Sequence, residues 1–495
     1  MSFDHEFLVD ILGETGVSTA SETRLEHSGD WATHSEWVTR EPVEPDVVVY
    51  PETTDEVASV LEAATEREIS VTPYAAGTSL EGNPVPARGG ISMNLTRMDR
   101  VLDVRPDDFQ LDLEPGVMGP TIEETAGRHG LFFPPLPSSG DISTIGGMIA
   151  NGASGMQTVK YGEVADWVRE LEVVLADGSV ITAGSKAPKT SSGYNLRDLF
   201  VGSEGTLGVV TRATLSLAGR PAQIRGGRAI FETLEDAVSA ITDVRTSGVD
   251  VAKLELIDAE SARISNAYTG TDLPDAPMVF LEFHADHHIE DEVDFCASVL
   301  DAHDPLTFDI ADDQRMDDLW EARKQLAYAL GEYRPELRPL HAGDVTVPLS
   351  EYGGLVTYAK ELGREHDLYV ACFGHAGDGN LHYSVLVNPD DAEHVETGQS
   401  VYAALVERAI EVGGTATGEH GIGRGKREFL VREHGEATVE AMRAIKRALD
   451  PTDTLNPGKI FPETLDGGRI RSETDDGHIS EETDGGHVQR ETDDQ

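Results

Sequence analysis

The sequence predicts an α+β protein in two parts, and two patterns predict it. Between residues 41 and 220, short apolar runs alternate with glycine-rich turns, the signature of mixed sheets joined by few helices. Between 221 and 462, amphipathic helical stretches alternate with apolar strands whose connections suit an antiparallel sheet. The 495 residues are 39% apolar, which suffices for an ample core and roughly two to four domains.

Taken in order, residues 1–40 form a polar segment of helical tendency with an apolar stripe at Phe7, Leu8, Ile11 and Leu12. Val47–Tyr50 reads as a strand. "TTDEVASVLEAATERE" then predicts a helix capped by Thr54, with Val57, Val60, Leu61 and Ala64 on one face. Val101–Val104, Gln110–Leu113, Glu170–Leu175 and Val180–Thr182 are strand candidates, the last two joined in a hairpin by Asp177–Gly178. A shift in composition over Gly219–Gly227 places a domain boundary there. Beyond it, helices are expected at 234–246, 312–332, 391–412 and 435–449, and strands at 278–284, 368–374 and 381–387. Residues 463–495 carry "ETDDGH", "ETDGGH" and "ETDDQ" at nine-residue spacing with no aromatic, so a disordered acidic tail is expected.

Thirty-nine Lys plus Arg stand against 90 Asp plus Glu, a net charge of −51. That balance excludes nucleic acid as a partner, since binding it requires a basic face. Few lysines among many carboxylates point to a salt-adapted, halophilic protein, where a Debye length of roughly 3 Å screens the repulsion. Cys296 and Cys372 are too few for an iron–sulfur cluster or a four-thiolate zinc site. The first residues lack a signal-peptide pattern and no apolar run is long enough to span a bilayer. A cytoplasmic protein is therefore expected, with peripheral contact to a membrane complex left open.

Three segments have the composition of an anion-cradling scaffold. "PYAAGTSLEG" (73–82) follows a strand, and its exposed N–H groups can converge on a phosphate. "STIGGMIANGASG" (143–155) offers small residues against which a planar group can lie, and "VGSEGTLGVVT" (201–211) returns a glycine turn into a strand. Neither the dinucleotide fingerprint nor the P-loop pattern occurs, which argues against a nicotinamide enzyme or an ATPase.

In order and spacing these loops resemble the FAD-binding domain of the vanillyl-alcohol oxidase/p-cresol methylhydroxylase superfamily. "CFGHAGDGNLH", "GTATGEHGIGRGK" and "LDPTDTLNPGKIF" are similar to the branch that contains cytochrome-linked D-lactate dehydrogenase, the glycolate oxidase catalytic subunit and D-2-hydroxyglutarate dehydrogenase. The likeness covers roughly residues 20–462. It implies an FAD-binding domain over 41–220 and a C-terminal substrate or cap domain over 221–462. Pro73, Tyr74, Ala75, Ala76, Gly77, Thr78 and Ser79 would wrap the FAD pyrophosphate. Ile145, Gly146 and Gly147, with Ala153, Ser154 and Gly155, would line the ribityl chain and flavin. Glu204, Gly205, Val209 and Val210 would touch the cofactor through backbone groups, and Asn456 of the "NPGK" turn would return against the flavin. A plain helix-stopping loop is the other reading of that turn. FAD is expected to be non-covalent, with Tyr74 packing rather than serving as an anchor.

His375 and His382 flank the Gly377–Asn380 turn and can converge on one ion, with Glu419 as a third donor. Two imidazoles and a carboxylate leave coordination positions open, a catalytic pattern suited to zinc or manganese. A metal-free site in which the histidines bind substrate directly is the competing reading. His420 beside Glu419 is the expected general base, a role the resemblance also implies, with Asp378 and Asn380 orienting the shell. "LWEARKQLAYAL" places Trp320 and Arg323 one turn apart. The family's W-x-x-R element implies that Arg323 binds a substrate carboxylate. Where hydroxyglutarate-type members carry a lysine, this chain has His341–Ala342–Gly343, which favours a monocarboxylate. The expected activity is oxidation of a D-2-hydroxy acid, D-lactate first, with electrons passed to an external quinone, cytochrome or flavoprotein. Glycolate and D-2-hydroxyglutarate are the alternatives, a flavin-binding assembly subunit is the non-enzymatic one, and a homodimer is compatible with the sequence.

Overall fold

The computed structural model describes residues 4–34, 42–311 and 313–462. The acidic tail at 463–495 therefore lies outside the described residues, as does the end of the N-terminal segment.

Three sheets carry the fold. Val47–Val49, Ile91–Asn94 and Val71–Tyr74 are parallel, and Val17–Ser18 adds an antiparallel edge. The helix Thr54–Glu66 packs Val57, Val60, Leu61 and Ala64 onto this sheet's core, and the helix Glu6–Leu12 inserts Leu8 into the same cluster. Its cap is Thr53, not Thr54. The Thr53 hydroxyl accepts from the Glu56 N–H, and the Glu56 carboxylate reaches back to the Thr53 N–H, a closed capping box.

A second, antiparallel sheet orders Val101–Arg105, Gln110–Leu113, Val209–Ser216, Val168–Val174 and Val180–Gly184, with the expected hairpin at Asp177–Gly178. Gln223–Ile230, where the composition shift suggested a boundary, opens the third sheet, of eight strands. All of its pairings are antiparallel. The helices Leu234–Ser247, Leu349–Glu365 and Ala392–Glu411 cover one face of it. The other face packs against the region 313–332, which is two helices rather than one: Asp313–Lys324 and Leu326–Glu332, broken at Gln325.

The sheet's central strands reach toward the first part of the chain. Tyr369–Gly374 and Asn380–Val387 form a hairpin in which Phe373 pairs with His382. Gly343–Thr346 pairs with Asn380–Val387 and sets Asp344 opposite His382.

Candidate active site

One cleft runs between the glycine loops and the third sheet. Its floor is the loop after Val71–Tyr74. Among the described residues, no main-chain N–H from Ala75 to Ser79 donates to a backbone carbonyl. All five residues line the cleft, so their main-chain donors are available to a pyrophosphate there. The loop is held from both sides. Asp30 accepts from Ser79 Oγ at 3.1 Å and the Gly82 N–H at 2.6 Å, and Thr78 Oγ1 lies 2.9 Å from Ser143 Oγ. Gly77 has φ +66°, and a Cβ there would meet the Tyr74 hydroxyl at 2.3 Å, so the loop closes only around glycine. Tyr74 itself packs against His27 with the rings tilted 42° and donates to the Glu26 carbonyl, and burial pushes its phenol up to about 12. These residues fit FAD.

Three imidazoles converge at the cleft's far end. His382 Nε2 lies 3.1 Å from Glu419 Oε1, His375 Nε2 3.4 Å and His420 Nε2 3.8 Å. His375 meets His382 edge-on, and His382 stacks on His420 with ring planes 8° apart. Burial opposes the charge of Glu419, but His375 and His382 hold its carboxyl well below the ordinary range. Burial lowers the pKa of His420, against the pull of Asp344, so this imidazole is neutral near pH 7 and able to take a proton.

Two buried carboxylates build this cluster. Asp344 Oδ2 accepts from the N–H groups of Gly418, Glu419 and His420 at 2.8–2.9 Å and from the Thr417 hydroxyl, while Oδ1 accepts from Asn380 Nδ2. Lys426, fully buried, donates to the Asp344 carbonyl. Glu255 accepts from His375 Nδ1 at 2.7 Å and from Arg323 Nε at 2.8 Å. Burial works against its charge, yet His375 and Arg323 hold its carboxyl at about 2. Arg323 is 5% exposed, lies over the Phe373 ring and lines the cleft. Its Nη2 has no hydrogen-bond partner among the described residues.

Residues 45–184 match the FAD binding domain model, and residues 220–460 match that of FAD linked oxidases, C-terminal domain. The probable mitochondrial D-lactate dehydrogenase of Danio rerio is 35% identical over 92% of this chain and 90% of its own. This chain belongs to the FAD-linked oxidase family. The glycolate oxidase subunit GlcD of Bacillus subtilis is 33% identical over 92% of this chain and 96% of its own. Among solved structures, p-cresol methylhydroxylase with substrate bound has a TM-score of 0.74 at 17% identity, covering 92% of this chain and 95% of that one. Alkyldihydroxyacetonephosphate synthase has 0.72 at 18%, covering 92% and 85%. These two share the fold.

In this FAD-linked oxidase the cleft is lined by Pro73 to Ser79, Gly146, Gly147, Ala153, Ser154, Glu204, Gly205, Val209, Val210 and Asn456, and on its other wall by Arg323, His382, Glu419 and His420. Three expected residues stand behind the lining. Ile145 is fully buried in the core beneath, Gly155 packs against Pro137, and His375 reaches the cluster from between Glu255 and Glu419. Asn456, at φ +42°, donates to the carbonyls of Asn83 and Glu204, so the "NPGK" turn closes onto the cleft rather than merely ending a helix. Asp378 and Asn380 divide. Asn380 braces Asp344, whereas Asp378 is held near its own turn by the Asn380 N–H. Sequence reasoning missed Glu255, Asp344 and Lys426.

A Cβ on Gly418 would fall 2.0 Å from Asn380 Nδ2 and 2.5 Å from Thr346 Oγ1. Gly418→Ala must therefore displace the turn that presents Glu419 and His420. We expect it to cost about 1–3 kcal/mol of stability, as overpacking does, and to lower turnover at least about tenfold. Denaturant unfolding and steady-state kinetics check both. Among the described residues, no helix is long and apolar enough to cross a membrane.

Proposed function

We propose that this FAD-linked oxidase oxidises a D-2-hydroxy acid, D-lactate first, to the 2-oxo acid and passes the electrons to an external acceptor. The observation that carries the reading is a single arrangement. Arg323 offers an unpartnered buried guanidinium nitrogen on the same cleft wall as the His375–His382–Glu419–His420 cluster. When bound, FAD supplies the hydride acceptor for the α-carbon, and a zinc or manganese ion held by His375, His382 and Glu419 supplies Lewis acidity at the hydroxyl.

The chain's own residues do the rest. Arg323 takes the carboxylate through Nη2, with Glu255 locking its Nε so that the guanidinium plane is fixed. His420 receives the hydroxyl proton at Nε2, the nitrogen that faces the cluster. Ala342 and Leu330 line the cleft with apolar surface, and with no lysine at His341–Gly343 a short monocarboxylate fits better than a dicarboxylate. Two cysteines cannot hold an iron–sulfur relay, so the reducing equivalents leave the flavin for an external quinone, cytochrome or flavoprotein.

The similarity to enzymes named D-lactate dehydrogenase, including the cytochrome-type enzymes of Arabidopsis thaliana and Saccharomyces cerevisiae, supports this reading. We also read the charge of −51 as adaptation to molar salt, so the test is run in multimolar KCl. Anaerobic mixing with a panel of D- and L-hydroxy acids should bleach the flavin fastest with D-lactate. Faster bleaching by glycolate or D-2-hydroxyglutarate would reassign the substrate, and no bleaching by any hydroxy acid would overturn the function. Prolonged dialysis against a chelator should slow the reaction, and zinc or manganese should restore it. An unchanged rate favours the metal-free site.

A further inference from the structure

Behind the cleft, the strand Val251–Ile257 carries Glu255, the carboxylate that fixes Arg323 and whose second contact, to His375, the reaction above leaves unused. It is fully buried, on a strand whose seven residues are all buried. Burying a carboxylate is costly unless partners compensate it, so the identity of those partners says what it is for. Each of its oxygens is spent on a different component of the site. Oε1 accepts from His375 Nδ1 at 2.7 Å, and Oε2 accepts from Arg323 Nε at 2.8 Å. The sheet makes this possible. Leu256 pairs with Gly374 across the ladder, so Glu255 stands beside the chain where it turns out to His375, and the helix Asp313–Lys324 lays Arg323 over the same face.

From this geometry we infer that Glu255 is a positioning residue that builds the metal site and the carboxylate site as one unit. A hydrogen bond from Nδ1–H to Glu255 fixes the His375 tautomer and leaves the Nε2 lone pair pointed at Glu419 and His382. The bond from Arg323 Nε fixes the other end, so the free Nη2 keeps one position relative to the imidazoles. The second trio near the histidines, Asp344 with His382 and His420, is a brace rather than a second ion site. Asp344 already accepts five hydrogen bonds, and the two rings are stacked in parallel planes that cannot both contain one ion.

The inference rests on the assignments of His375 and Arg323 made above, and its test separates the two. Glu255→Gln keeps the size but presents an amide. Its oxygen can accept from Arg323 only if its NH2 faces His375 Nδ1, which then has to become an acceptor and place its proton on Nε2. In the flavin-loaded protein, zinc affinity measured by competition with a chromophoric chelator should fall ~10–100-fold. The D-lactate KM should rise at least about tenfold in the same variant. Arg323→Met alone should raise KM and leave zinc affinity within about twofold, and adding Glu255→Gln to it should raise KM no further.

A Glu255→Gln protein that binds zinc and D-lactate like the parent, or loses only one of the two, overturns the coupling. An Arg323→Met protein with unchanged KM, or a parent that binds no zinc, overturns the underlying site assignment, and the role of Glu255 falls with it. If Glu255→Gln does not retain flavin, the tautomer is read in the zinc-loaded parent from 15N-histidine spectra. A proton on His375 Nδ1 upholds the inference, and one on Nε2 overturns it.

Discussion

Replacing Asp344 by asparagine is expected to be the most damaging single change in this protein. One buried oxygen of Asp344 collects the N–H groups of three successive residues, Gly418, Glu419 and His420, together with the Thr417 hydroxyl. An amide nitrogen in that place would face donors with a donor. An amide oxygen there would instead leave the nitrogen against Asn380, whose Nδ2 is also a donor. The substitution also removes the negative charge beside Lys426, which is fully buried with its Nζ 3.8 Å from Asp344 Oδ2 and 3.6 Å from Glu81 Oε1. Removing one partner from a buried ionic network costs about 3–5 kcal/mol. We expect a stability loss of that size and a fall in kcat/KM of at least about a hundredfold, because the turn that carries Glu419 and His420 is released. Denaturant unfolding followed by flavin fluorescence, with kinetics on the same preparation, measures both. A loss under 1 kcal/mol with kinetics near the parent would show that the turn holds itself.

His420→Ala is expected to leave flavin binding intact and to slow anaerobic flavin reduction by ~10²–10⁴-fold, the range for loss of a general base. The side chain makes none of the contacts that shape the pyrophosphate loop. Its backbone N–H, which Asp344 holds, survives the substitution. The imidazole is neutral because burial outweighs the attraction of Asp344, so the variant loses a proton acceptor and not a structural cation. The reduction rate, and not the steady-state rate, is the quantity to compare, since the external acceptor can limit turnover. Reduction at the parental rate would move the base elsewhere in the cluster.

Much of the fold was legible where periodicity or turn chemistry is local. Gln110–Leu113, the Asp177–Gly178 hairpin and the strands around 278–284 and 381–387 appear as read, because alternation and turn residues act over a few positions. The cap at Thr53 was misread although Thr53 and Glu56 carry the capping-box spacing, since Thr54 offered an equally suitable hydroxyl one residue later. The break at Gln325 has no glycine or proline to announce it; packing of the two helices against the sheet decides it.

In the site, His375, His382, Glu419 and His420 were legible because each sits in a glycine-flanked motif. Glu255 was not. In "VAKLELI" the alternation of Lys253 and Glu255 with apolar residues reads as a strand with one wet face, yet both faces are buried. Its partners lie 68 and 120 residues away, and no local signal encodes such a pairing. Asp344 is hidden in the same manner, braced by residues 36 to 76 positions distant.

Besides Asp344, a part of the chain made much earlier pins the turn bearing Glu419 and His420. Asn151 donates to the Glu419 carbonyl, Ser154 to its carboxylate, and Glu204 accepts from the N–H groups of Ile422 and Gly423, across 218 to 268 residues. At a synthesis rate of ~5–20 residues per second, those residues wait roughly 10–50 s on the ribosome before that turn exists. Contacts of such separation also carry the largest loop-closure cost and form late in folding. The loops that would hold the cofactor are thus made well before the turn that carries the reactive side chains, and only Asn456, which follows that turn, closes the cofactor side of the cleft after it.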